Sequence, residues 1–329
     1  MVSSKELVLL TALSVFFLSV LLTLWILPRL KSRKMQQMIL EIGPKWHKSK
    51  EGTPTMGGLA PALASGAVCL LCLLLPGEFT RAEGNALALS VLFALGCGAV
   101  GAVDDLAKFR HHRNDGLTPT QKLILQTAIC AAYLAILRIR NLTPASVPVP
   151  FTDLSVPLSA FWIPVMLLYS VGTINFANLT DGIDGLASSV NMIIGGFFVA
   201  VGILLGKNDL ICLAAAMMAG ALAFLLFNYH PARIFMGDTG SLFFGAMAIG
   251  CAILSGRPLL LLLTGIVYYL EGFSVILQVL WFKLTRGKRL LRMAPLHHHL
   301  EKCGFSEEKI VFIMTLLSLG MSVIAVFSL

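Results

Sequence analysis

Charge is what this sequence has least of. Only 13% of its 329 residues are charged, against 57% hydrophobic, where a soluble domain carries about 25% charged residues. With a mean hydropathy of +0.84, that shortage excludes an ordinary water-soluble fold. Long polar linkers, low-complexity tracts and internal repeats are also missing. We therefore expect one domain spanning residues 1–329, with no separate soluble module. Cysteines number seven, but most lie inside apolar runs. Cys69 and Cys72 form a C-x-x-C among Leu and Val residues, whereas a redox or metal role needs a polar, accessible setting. They read as small core residues.

Long hydrophobic runs are what the sequence has in abundance. A helix needs about 20 apolar residues to cross a bilayer, and unsatisfied backbone groups cannot face lipid. The run lengths favour an all-α polytopic membrane bundle over a barrel. Ten spans are expected, at about 7–27, 55–75, 86–103, 120–137, 157–174, 186–205, 210–228, 241–256, 259–282 and 309–328. The first follows Lys5 and Glu6 and precedes no small-residue cleavage site, so it reads as a span and not as a removed signal peptide. Breaks fall at Pro76-Gly77, between Pro144 and Pro157, at Gly206-Lys207-Asn208-Asp209 and at Gly256-Arg257-Pro258.

Basic residues are unevenly divided among the alternate loops. Nineteen of the 25 fall on one side and six on the other, which marks the first side as cytoplasmic and puts both termini outside. Asp104, Asp105, Asp181, Asp184 and Asp238 fall on that same side. Only Glu271 lies within a span. A basic rim around membrane-edge carboxylates suits a phosphate-bearing substrate accompanied by a divalent metal, although positive-inside bias alone accounts for many of the lysines.

The polar residues are concentrated in a few short segments. Asn175-Phe176-Ala177-Asn178-Leu179-Thr180-Asp181-Gly182-Ile183-Asp184-Gly185 packs two amides, a hydroxyl and two carboxylates between apolar runs. Such groups cost several kcal/mol each, roughly, when buried unpaired, so the segment should face water, an ion or a substrate. Asp104-Asp105 is expected at a helix C-terminus, where adjacent carboxylates oppose each other and the helix dipole. A metal, or Lys108 and Arg110, would compensate. Asp238 in Phe235-Met236-Gly237-Asp238-Thr239-Gly240-Ser241 and the pair Asp181 and Asp184 each precede a span, so N-capping competes with ligand binding as their role.

Two further segments add polar groups. Gly52-Thr53-Pro54-Thr55-Met56-Gly57-Gly58 follows Lys48 and Lys50 and could cradle phosphate, without matching the P-loop pattern. In Pro295-Leu296-His297-His298-His299, consecutive side chains cannot all reach one metal. An imidazole touching phosphate or shuttling a proton is the better reading.

The order GTPTMGG, VDD, NFANLTDGIDGLA, FMGDTGS and PLHHHLE, on ten spans, resembles the phospho-N-acetylmuramoyl-pentapeptide transferase family, within the polyprenyl-phosphate N-acetylhexosamine-1-phosphate transferase superfamily. The resemblance covers essentially the whole chain. It implies a bacterial inner-membrane enzyme with its active site on the cytoplasmic side. The enzyme would transfer phospho-N-acetylmuramoyl-pentapeptide from UDP to undecaprenyl phosphate, giving lipid I and UMP with Mg2+ as cofactor.

Residue by residue, the family's aspartate triad falls on Asp104, Asp105 and Asp238. Asp238 would hold the metal with Asp105, and Asp104 or Asp105 would be the candidate base. The resemblance sets Asn175, Asn178, Asp181, Gly182, Asp184 and Phe235 around the uridine and its diphosphate. His297, His298 and His299 would complete the phosphate site. Lys48 or Lys50, with Thr53, would lie near the sugar nucleotide.

Membrane lipid is the expected surroundings, no nucleic acid is expected, and a homodimer is the candidate assembly. The run from Leu259 to Phe282, interrupted at Glu271-Gly272, is the expected broken helix lining a groove for the lipid tail. Two alternatives stand beside this reading. One is a UDP-N-acetylglucosamine-1-phosphate transferase on the same lipid, which the histidine segment disfavours. The other is a secondary transporter, whose polar groups would lie near the membrane midplane.

Overall fold

The computed structural model describes residues 3–33, 50, 52–110, 116–144 and 146–329. Twelve helices and one short hairpin account for most of them. In chain order the helices are α1 (Ser4–Ser32), α2 (Leu59–Cys72), α3 (Arg81–Arg110), α4 (Pro119–Ile139), α5 (Trp162–Thr180), α6 (Leu186–Leu205), α7 (Asn208–Asn228), α8 (Gly237–Leu254), α9 (Leu260–Thr264), α10 (Ile266–Leu284), α11 (Leu296–Lys302) and α12 (Glu307–Val326). Strands β1 (Ser146–Pro148) and β2 (Ser155–Pro157) pair antiparallel between α4 and α5.

Local sequence explains where the helices begin and end. Ser3 and Glu6 close a capping box on α1, and Thr118 and Gln121 do the same on α4, with Pro119 in its first turn. Such reciprocal bonds satisfy donors that a helix start leaves orphaned. Gly206 (φ +63°) ends α6 in the left-handed conformation that only glycine adopts cheaply, and Lys207 N donates back to the Gly202 carbonyl at 2.9 Å.

Among the described residues, nine helices are long and apolar enough to cross a membrane; α2, at 14 residues, is shorter. The ten-span expectation therefore holds in number of apolar segments, with the second reduced. Its first residues are used otherwise. Gly57 N and Gly58 N donate to the carbonyls of Phe235 and Met236 at 2.9 and 3.0 Å, and Phe235 N donates to the Pro54 carbonyl at 2.8 Å. The Gly-rich segment is thus a brace for the start of α8.

Helices α7 and α8 form the centre, whereas α1 and α4 lie at the periphery. Lipid gives no hydrophobic drive for helix association, so close packing through small residues takes its place. A Cβ on Gly195 of α6 would lie 2.5 Å from Met218 N of α7, and one on Gly101 of α3 would lie 2.1 Å from the Asp238 carbonyl of α8. These glycines set the distance between neighbouring backbones.

The ninth apolar run is broken at Gly265, between α9 and α10, and not at Glu271-Gly272 as its sequence suggested. A break at membrane depth must have its polar groups satisfied by neighbours. Ser318 Oγ of α12 donates to the Thr264 carbonyl at 2.5 Å, and the hydroxyls of Thr264 and Ser322 bond each other at the same distance. Gly272 instead gives α10 room against the Phe176 ring of α5, 2.0 Å from where a Cβ would stand. Beyond it α10 exposes Phe273, Leu277, Leu280 and Leu284. The chain after α10 doubles back, with Gln278 Oε1 accepting from Leu290 N and Leu291 N at 3.2 and 2.8 Å. That return brings α11 down onto the middle of α10.

Candidate active site

The polar segments meet at one end of the bundle. Helix α3 continues to Arg110, so Asp104 and Asp105 lie inside the helix and not at its C-terminus as expected. Adjacent helical residues point about 100° apart, and the two carboxylates accordingly serve different neighbours. Asp104 Oδ1 accepts from Leu117 N at 2.7 Å, and its Oδ2 meets Lys108 Nζ, one turn on, at 2.6 Å. Asp105 turns to the start of α8. It accepts from Asp238 N at 3.2 Å, Thr239 N at 3.0 Å and Thr239 Oγ1 at 2.7 Å. These are first-turn donors that no intrahelical carbonyl can take, so Asp105 caps α8 from another helix.

That leaves Asp238 free of capping duty. Its Oδ2 receives Lys108 Nζ at 2.7 Å and Lys122 Nζ at 2.8 Å, and its Oδ1 accepts from Asn178 Nδ2 at 2.8 Å. Asn178 also donates to Ser241 Oγ at 2.7 Å and accepts from Lys122 at 3.3 Å. One turn away on α5, Asn175 is drawn off to Gln126 Oε1 of α4 at 2.7 Å. Its amide also donates to the Val171 carbonyl at 2.8 Å. Asp104, Asp105 and Asp238 each offer an oxygen within 4.8 Å of the others. An all-oxygen set of this kind suits a hard cation such as Mg2+.

A second cluster adjoins the turn after α5. Helix α6 starts at Gly185 without a side-chain cap, so neither Asp181 nor Asp184 is a helix cap. Asp184 accepts from Lys50 Nζ at 2.8 Å and Ala232 N at 3.0 Å, and pairs with His230 Nδ1 at 3.0 Å. Glu307, in the first turn of α12, takes Lys50 Nζ at 2.6 Å and Asp184 N at 3.2 Å. Lys50 is thereby fixed in the site, whereas Lys48 lies outside the described residues. Thr53 follows, with its N–H on the Lys50 carbonyl at 3.2 Å. Asp181 sits between the two clusters. Desolvation, and then the charges of Asp238, Asp105 and Asp184, push its carboxyl up to about 8, so it holds its proton more readily than an ordinary carboxylate.

The histidines divide. His297 is buried, with Nδ1 3.0 Å from Glu271 Oε2. His298 Nδ1 pairs with Glu301 at 2.6 Å, and its ring centroid is 4.2 Å from that of His297. His299 Nδ1 accepts from Arg292 N at 3.1 Å and its Nε2 faces Cys303 Sγ. It therefore holds the loop before α11. Phe235 is half-buried, three residues before Asp238.

Lys122, His230, Glu307 and the link from Glu271 to His297 were missed by reading the sequence. Each sits in an unremarkable local context, and only spacing in three dimensions gives it a role. Asp104–Lys108 and His298–Glu301 are the partners readable from spacing, as i,i+4 and i,i+3 pairs.

Comparison with known proteins accords with this geometry. Residues 87–256 match the model of glycosyl transferase family 4, and residues 50–60 match phospho-N-acetylmuramoyl-pentapeptide-transferase signature 1. The chain is 37% identical over 322 residues to the phospho-N-acetylmuramoyl-pentapeptide-transferase of Clostridioides difficile, covering 96% of this chain and 97% of the relative. With the enzyme of that name from Bacillus subtilis it shares 38% over 323 residues, 98% of both chains. The Clostridium perfringens enzyme is 41% identical over 305 residues, covering 92% of this chain and 91% of its own.

Proposed function

This chain belongs to glycosyl transferase family 4 and, within it, to the phospho-N-acetylmuramoyl-pentapeptide transferases, and from that premise we infer how its polar end works. It transfers phospho-N-acetylmuramoyl-pentapeptide from a UDP carrier to a lipid phosphate, the step that makes lipid I in peptidoglycan synthesis. Undecaprenyl phosphate is the proposed acceptor, UMP the product and Mg2+ the metal. Residues 1–329 act as one membrane domain in the bacterial inner membrane, with the polar end and both loops around α11 facing the cytoplasm and the termini outside.

The convergence of Asp104, Asp105 and Asp238 with Lys108 and Lys122 carries this reading. Attack of one phosphate oxygen on another phosphorus gathers several negative charges, so catalysis of this class rests on positioning and neutralisation. Asp238 and Asp105 would hold the ion, Asp105 through the lone-pair direction that its three hydrogen bonds leave free. When bound, Mg2+ would polarise the pyrophosphate and offset its charge.

The lysines share that task. Lys108 and Lys122 now neutralise the carboxylates, and both can turn to phosphate oxygens. Lys50 stands by the Gly182 turn to meet the sugar nucleotide. Asp181, when it holds its proton, can donate a hydrogen bond to an anionic oxygen or to the uracil. Asn178, held on Asp238 and Ser241, lies beside the same carboxylates.

Asp104 is the candidate base for the lipid phosphate. Its share is small, because a phosphate monoester with a second pKa of about 6 is already largely ionised. Both a direct displacement and a two-step route through an aspartyl phosphate suit this arrangement; trapping a phospho-enzyme with the UDP substrate alone would single out the second. The exposed apolar half of α10 offers the lipid tail a surface beside the site.

The test is turnover by the purified protein with Mg2+, UDP-N-acetylmuramoyl-pentapeptide and undecaprenyl phosphate. We expect lipid I and UMP from the parent. Asp238→Asn should lower kcat at least about 100-fold while keeping its thermal transition. Normal activity in that variant would overturn the metal assignment, and turnover of UDP-N-acetylglucosamine alone would favour the sibling transferase. Transport is disfavoured because the polar clusters gather at one end of the bundle.

A further inference from the structure

Glu271 lies inside α10 with no exposed surface, and the sequence offers it no partner. The fold supplies one from 26 residues away. His297 N donates to both Glu271 oxygens, at 3.2 and 3.3 Å, and His297 Nδ1 lies 3.0 Å from Oε2. The imidazole is itself 1% exposed, and its Nε2 has no hydrogen-bond partner among the described residues. That orphaned nitrogen abuts Gly182, where an added Cβ would lie 2.2 Å from Nε2 and 2.4 Å from Cε1. Gly182 adjoins Asp181 and stands two residues from Asp184, in the turn between the two charged clusters.

We propose that Glu271 is a positioning residue: it holds His297 by Nδ1 and by its backbone N–H, so that Nε2 is presented at the Gly182 turn to a phosphate oxygen of the nucleoside diphosphate. This rests on the reading of His297 as a group of the substrate site. A carboxylate only accepts hydrogen bonds, so Nδ1 carries the hydrogen and Nε2 is the nitrogen left for a ligand. An Nε2–H can donate to an anionic oxygen at the Gly182 turn while Glu271 holds the ring from its other nitrogen. A buried polar atom without a partner costs about 1–3 kcal/mol; a hydrogen bond from Nε2–H to a bound phosphate oxygen would remove that cost. Glycine at 182 is required because the imidazole occupies the space of a side chain there.

The alternative is that Glu271 only anchors the start of α11, and a double-mutant cycle separates the two. Asn at 297 can keep a donor near the position of Nδ1 while deleting Nε2, and Gln at 271 keeps an acceptor while deleting the charge. We expect His297→Asn to lower kcat at least about 100-fold and Glu271→Gln to lower it about 10- to 100-fold, with thermal transitions close to the parent. The double variant should be no slower than His297→Asn alone, because the two residues act as one unit.

Multiplied losses in the double variant, or Glu271→Gln within twofold of the parent, would overturn the positioning role. Parental turnover by His297→Asn would instead overturn the reading of His297 on which the inference rests. Should Glu271→Gln not fold, Glu271→Asp, which keeps the charge on a shorter stem, enters the same cycle under the same criteria.

Discussion

At the scale of single residues, the site depends on carboxylates placed where each would otherwise be costly. Asp105 takes three donors from α8, Asp238 takes two ammonium groups and an amide, and Asp184 takes Lys50, His230 and a backbone N–H. Among the described residues Asp181 has no cation of its own, and its carboxyl is pushed up to about 8 by desolvation and by its three acidic neighbours. A raised carboxyl means that the folded state prefers the proton. Asp181 therefore erodes stability progressively as pH rises from about 4, near its unfolded value, to about 8. Thermal unfolding of the metal-free protein should show Asp181→Asn gaining on the parent across that window. A constant difference between pH 5 and 8 would refute the assignment. The cluster at Asp181 was visible in the sequence as a density of polar groups. That its acid is raised was not, because much of the cause lies in Asp105 and Asp238, brought near from α3 and α8.

At the scale of elements, small residues decide whether the catalytic groups meet. Gly101 of α3 lies against the Asp238 carbonyl, and Gly58 lies against Gly240, each too close for a side chain. These contacts are backbone on backbone, so no rotamer change relieves them. Gly101→Ala should destabilise the protein by about 1–3 kcal/mol and, by separating Asp105 from Asp238, lower kcat more than KM rises. Gly172→Ala in α5, where a Cβ meets nothing within 4 Å, is the matched control and should leave both unchanged. Equal thermal shifts in the two variants would contradict the packing role. The GTPTMGG segment shows the limit of motif reading. Its glycines suggested a phosphate cradle, but they are needed to pair with Phe235–Met236 and to seat Gly58 on α8.

At the scale of the whole molecule, the polar residues separate from the apolar ones along the bundle. Asp104 of α3, Asp184 of the turn after α5, Asp238 of α8, His297 of α11 and Glu307 of α12 gather at one end of the bundle. Our orientation makes this end cytoplasmic. Of the seven cysteines only Cys303, beside α11, is exposed, so it reports sidedness. A membrane-impermeant maleimide should label Cys303 in inverted vesicles and leave it untouched in intact spheroplasts. Labelling from outside would reverse the orientation. A Cys303→Ser variant gives the background.

The sequence alone determined the class of the molecule and the identity of most site residues. Apolar runs of membrane length leave the backbone no alternative to helices, and short polar segments between such runs mark their own importance. Helix boundaries at Ser3, Thr118 and Gly206 were equally local matters. Only the tertiary structure decided which carboxylate caps α8 and which meets the lysines, where the ninth run breaks, that His299 serves a loop, and that Glu271 has a partner in His297. These depend on how far apart two backbones lie and on which groups remain unsatisfied once the helices pack. Spacing along the chain holds no record of either.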